Sequence, residues 1–116
     1  MKKLIIEPGA CRFTTVVEAE GEGNKRKVNV KVESMCPHVQ AMSDAVGSEV
    51  NPIKVCLAKP GTDPYSRWAQ EPANNFPPHA CCPAIVGIIK AIEAESGLGL
   101  PRPTQICFVD EETDDA

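Results

Sequence analysis

The chain has 116 residues, the size of one domain with one core, which argues against a multidomain assembly. Hydrophobic residues make up 42% and aromatics only 4%, so the core is expected from Val, Ile, Leu and Ala, while eleven prolines and eight glycines predict much loop. Net charge is −4, but five acidic residues fall within 110–116 and the remainder carries +1; this near-neutral body lacks an electrostatic footprint for nucleic acid, and no run of about 20 apolar residues exists to span a membrane.

Residues 3–7 read as a first strand, closed by the turn pair Pro8-Gly9. Residues 12–20 are rich in β-branched side chains, and 25–33 alternate Val28, Val30 and Val32 with Lys27, Asn29 and Lys31. Together they predict a half-buried hairpin turning at Gly21-Glu22-Gly23-Asn24. Val39, Met42 and Val46 then repeat at helical spacing behind Pro37 and stop at Gly47, a short amphipathic helix with proline in its first turn. Residues 51–57 are expected to form another short strand. From 59 to 83 six prolines argue against regular structure, so this stretch is expected to be a long loop with Tyr65 and Trp68 as a lid. Ile85, Ile88, Ile89 and Ile92 mark the central core helix over 83–95, with Gly97 as its stop. A last short strand is expected at 104–109. The predicted architecture is α+β: a small antiparallel sheet containing a β-hairpin, packed against two helices, as one domain over 1–109, with 110–116 as an acidic disordered tail.

Met1-Lys2-Lys3 resembles the start of a signal peptide, but Leu4-Ile5-Ile6 is too short for its apolar region. A cytoplasmic location is therefore expected, and there six cysteines ask for a metal or a thiol reaction rather than structural disulfides. Cys-Pro opens a helix twice, at Cys36-Pro37 and Cys82-Pro83. At a helix N-terminus the free N–H groups and the dipole favour an anion and activate a thiol. Cys11 and Cys36 flank the hairpin, whose ends lie about 5 Å apart, so these two are expected to be neighbours. His79 and Cys82 have the spacer of a metal knuckle, and thiolate with imidazole suits zinc or an iron–sulfur cluster. Of the vicinal pair Cys81 and Cys82, only one is expected to ligate. Cys56 reads equally as core or fourth ligand, Cys107 as core, and His38 as a surface residue. Hydrolase and nucleotide-binding signatures are missing: there is neither a phosphate-binding glycine loop nor a Ser/His/Asp set at suitable spacing.

The order Pro8-Gly9-Ala10-Cys11, hairpin, Cys36 opening a helix, then His79 and Cys82 before a longer apolar helix resembles the U-type (NifU/IscU-like) iron–sulfur cluster scaffolds. The separations are 25 and 46 residues, and the likeness covers residues 6–95. Arg12-Phe13 stands where that family has Gly-Asp, and His79 is not adjacent to the cysteine. The chain also looks like a small uncharacterised cysteine-containing family of anaerobes and methanogenic archaea, on its Pro-Gly-x-Cys start and Gly97-Leu98-Gly99-Leu100-Pro101. The function expected is binding of an iron–sulfur cluster or zinc through Cys11, Cys36 and Cys82, with Cys56 or His79 as fourth ligand, as a cluster scaffold, carrier or accessory redox module served by a cluster donor or acceptor protein. The alternatives are thiol or persulfide transfer through Cys82, resolved by Cys81 or Cys36, and a structural zinc domain that binds a partner. Oligomeric state is not specified by the sequence.

Overall fold

The computed structural model describes residues 1–74 and 82–109. Its order is β1 (Lys2–Ile6), β2 (Thr15–Glu20), β3 (Val28–Ser34), α1 (Pro37–Val46), β4 (Glu49–Val50), α2 (Pro52–Cys56), α3 (Pro64–Gln70), a 3-10 turn (Pro72–Asn74) and α4 (Ala84–Glu95). The sheet runs β1-β2-β3-β4, antiparallel throughout. The α+β class expected from the sequence is the one found.

Alternation sets which face is buried, because successive side chains of a strand point to opposite sides. Val28, Val30 and Val32 of β3 and Val17 and Ala19 of β2 face inward, and Ile88, Ala91 and Ile92 of α4 cover them. The register aligns Leu4, Val17 and Val32 in one row and Ile6, Thr15 and Ser34 in the next. Gly87 lets α4 lie directly on β1, since a Cβ there would overlap the Ile6 side chain. α1 adds Val39 and Met42 to the core and ends at Gly47, whose φ of +93° an L side chain rarely adopts.

Three expectations are corrected. The strand expected at 51–57 is instead the helix α2 (Pro52–Cys56): the Asn51 side chain accepts from the N–H groups of Ile53 and Lys54 (3.0 and 3.4 Å), and Pro52 takes the first helical position. The expected 59–83 loop contains α3, for the same reason: Asp63 caps it by accepting from Ser66 N–H (3.1 Å), and Pro64 opens it. Tyr65 is thereby buried in the core and Trp68 packs against it, as parts of a helix rather than a lid loop. Residues 101–109 carry no regular structure, so the strand expected at 104–109 is not formed, and Cys107 is exposed instead of packed. Residues 75–81, with Pro77, Pro78, His79 and Cys81, and the acidic stretch 110–116 lie outside the described residues.

Candidate functional site

α4 runs antiparallel to β1. Gly87 in its first half rests on Ile6, and Glu95 at its end reaches the Met1 ammonium, 3.4 Å away. The sheet thus has two distinct ends. One carries the row Ile6, Thr15, Ser34 and the start of α4; the other carries Met1, the β2–β3 turn and the end of α4.

Cys11, Cys36 and Cys82 all belong to the first end. Thr15 and Ser34 share a hydroxyl hydrogen bond of 2.7 Å, and Ser34 Oγ accepts from Cys36 N–H at 3.1 Å. Gln40 clamps α1 onto the strand, accepting from Ser34 N–H (2.9 Å) and donating to the Val32 carbonyl (3.0 Å). These bonds fix the backbone of Cys36 as the N-cap of α1; its thiol makes no capping bond of its own. Cys11 stands exposed in the connection from β1 to β2. Arg12 beside it has φ +58°, uncommon for a non-glycine residue, and turns the chain through Arg12 N–H to Gly9 C=O at 3.1 Å. Cys82, five residues before Gly87, is half-buried against the core. The cap of α4 is Pro83. The helix-cap position expected for both cysteines is therefore held by Cys36 alone, because the first helical residue of α4 is Ala84.

The topology brings the hairpin ends and the opening of α4 to one end of the sheet, but among the described residues the thiols are not gathered into a preformed cage. Among the described residues, no three His, Cys, Asp or Glu side chains stand close enough to hold a metal ion. Cys56 lies elsewhere, midway along α4, its Sγ 3.8 Å from the Ile89 carbonyl. Burial pushes its thiol up to about 11, with the Glu93 and Asp63 carboxylates adding to the effect. Such a thiol is a poor ligand and a poor nucleophile near neutral pH. Cys11, Cys36, Cys56 and Cys107 are free thiols.

Two polar features escape the sequence reading. Tyr65 is fully buried, and its hydroxyl has no hydrogen-bond partner among the described residues. Burial, followed by the Asp63 carboxylate and Cys56, raises its pKa. At the opposite end of the sheet, Glu95 Oε1 accepts from the N–H groups of Gly21 (3.1 Å) and Glu22 (3.0 Å), while its carbonyl accepts from Gly23 N–H (2.9 Å). Burial alone would raise the Glu95 pKa; the Glu22 and Gly21 N–H groups and the Met1 ammonium outweigh it and hold the carboxyl below its usual value. A signal for this clasp exists: an acid in the last turn of a helix opposes the dipole and needs another partner, and a turn rich in glycine offers consecutive N–H groups to an anion.

Among the described residues no helix is long and apolar enough to cross a membrane. The model of a "Family of unknown function (DUF6951)" matches residues 2–108. No curated protein and no solved structure matches the chain. The likeness to NifU/IscU-like scaffolds is overturned by this match, which takes in the whole stretch, residues 6–95, on which it was drawn. A cysteine before a hairpin and another after it is a pattern that any meander with loops at one end can present.

Proposed function

We propose that this chain, which belongs to the DUF6951 family, binds a soft metal centre, zinc or an iron–sulfur cluster, at the end of the sheet that bears Cys11, Cys36 and Cys82, and serves in the cytoplasm as a metal carrier or accessory redox module. One observation carries the reading: three cysteines far apart in sequence come from three different elements to the same end of one sheet. Thiolates match the softness of both centres. Because no three donors are close together among the described residues, the fit requires movement, and Cys11 on its exposed turn is the ligand that must swing inward. A bound cation would offset the mutual repulsion of the thiolates and tie the β1–β2 loop, α1 and α4 together. A cluster would supply one-electron transfer; zinc would supply charge neutralisation and cross-linking. His79 and Cys81, near Cys82 in sequence, are further donors of the right kind, and a donor or acceptor protein is the partner such a carrier requires.

The test is metal and acid-labile sulfide analysis with a visible spectrum, on protein purified without oxygen and without a metal-affinity tag. Stoichiometric iron with sulfide, or stoichiometric zinc, is expected, abolished by Cys36→Ala and by Cys82→Ala and retained in Cys107→Ala. Full occupancy in Cys36→Ala or Cys82→Ala would refute the ligand set, and metal-free protein would refute the reading itself. In that last case the cap position of Cys36 favours thiol or persulfide transfer, which expects alkylation of Cys36 far ahead of every other cysteine.

A further inference from the structure

Residues 104–109, Thr-Gln-Ile-Cys-Phe-Val, have the β-branched and aromatic content of a strand, yet they pair with no strand among the described residues. Ile106 and Phe108 are almost wholly exposed, Leu100 largely so and Val109 about half. Elsewhere in the same molecule β1 is the outermost strand, paired on one side only among the described residues. Its free edge presents unpaired backbone groups, which template the addition of another strand. Ile5 at that edge is 61% exposed. An unpaired strand sequence and an unpaired strand edge are complementary halves of one interaction.

We propose that residues 104–109 add as an antiparallel strand to the β1 edge of a second copy of this chain. Charge chooses the direction. Lys2 and Lys3 open β1, and the five acidic residues follow Val109 in sequence. Antiparallel pairing brings Val109, the residue before the acidic run, to the lysine end of β1, whereas parallel pairing carries it toward Glu7 and leaves the lysines unmatched. The path of α4 then chooses the copy. α4 ends beside Met1, so the chain leaves it at the Lys2 end of its own β1, and a strand begun from that end would run parallel to β1. The charge-favoured direction is thus offered by a neighbouring molecule. A register with Val109 opposite Lys2 places Ile106 opposite Ile5, which itself pairs with Val16, and so completes an apolar row across three strands on the outer face. The same register sets Cys107 opposite Leu4 and gives this exposed thiol a packed environment.

The experiment is sedimentation of the full chain over a concentration series, with the double variant I106D/F108D beside it. A reversible dimer is expected for the native chain and a monomer with an unchanged circular dichroism spectrum for the variant, since both side chains are exposed in the single chain. K2E/K3E should weaken the dimer by about tenfold or more, by placing like charges together. Mixing I5C with I106C under mild oxidation should give a disulfide between the two chains, mapped by mass spectrometry. A native chain that stays monomeric to its solubility limit would overturn the proposal. So would a dimer that survives I106D/F108D, or an I5C/I106C double variant that closes its disulfide within one chain.

Discussion

Replacing Glu95 with glutamine tests whether charge, rather than shape, holds the end of α4 to the β2–β3 turn. Both backbone donors, at 3.1 and 3.0 Å, fall on the same carboxylate oxygen, and Glu95 is only 6% exposed. Hydrogen bonds to an ionised acceptor are about twice as strong as neutral ones, and a neutral bond contributes about 1 kcal/mol net. Glu95→Gln keeps an acceptor in place, so it loses the charged half of two bonds, about 2 kcal/mol. The Met1 ammonium adds only about 0.2–1 kcal/mol, because its side of the pair is half-exposed. The folded-state pKa of Glu95 is depressed, so its stabilisation is fully present above the unfolded value near 4.3 and is lost as pH falls through the folded value. The amide of the variant cannot titrate. Urea unfolding followed through Trp68, the single tryptophan, should show a gap between wild type and E95Q of about 2 kcal/mol at pH 7 that closes on acidification. An equal gap at pH 7 and at a pH below both values would refute the electrostatic account and assign the loss to packing.

Tyr65→Phe removes a buried hydroxyl that has no partner among the described residues; a gain of about 1 kcal/mol is expected in the same urea assay, and a loss of that size would reveal a bond to the hydroxyl. Gly87→Ala would ordinarily stabilise a helix by about 1 kcal/mol, but here the added Cβ meets Ile6 and overpacking costs about 1–3 kcal/mol, so a net loss is expected. A double-mutant cycle with Ile6→Ala should show favourable coupling, and additive effects would disprove the clash. The Cys56 thiol, raised to about 11, stabilises the fold below the unfolded thiol value near 8.5 and ceases to do so as pH rises toward 11. Cys56→Ala should accordingly flatten the alkaline limb of the stability profile, and alkylation of Cys56 in the native protein should lag well behind that of exposed Cys11. An alkaline limb unchanged by Cys56→Ala would locate the titrating group elsewhere.

The hairpin, α1 and α4 were legible because each repeats its period several times: Val28, Val30 and Val32 for the strand, four isoleucines for the helix. α2 and α3, with five and seven residues, are too short for a period to show. Their signal was the cap, Asn51-Pro52 and Asp63-Pro64, where proline marks the start of a helix rather than its prohibition. Residues 104–109 read as a strand on local grounds, but pairing needs an edge, and no local pattern says which edge. The same distinction governs the thiols. That Cys11 and Cys36 share an end follows from the hairpin between them, and Cys82 joins them only because α4 lies back along β1. How closely three sulfurs approach depends on loop conformations that no spacing encodes. Glu95 was missed because its partners are 73 and 74 residues away.

That separation bears on the order in which the molecule assembles. β1, β2 and β3 form a meander whose pairings need only short loops to close, so they can form early and at small entropic cost. The Glu95 clasp closes a loop of 73 to 74 residues and rewards the closure only once α4 has docked. Its bonds therefore belong to the native side of the folding barrier. Glu95 substitutions should leave the refolding rate nearly intact and accelerate unfolding, which makes a single carboxylate at the closing point a brake on spontaneous opening of the sheet from its α4 side, beside the packing of Ile88 and Ile92.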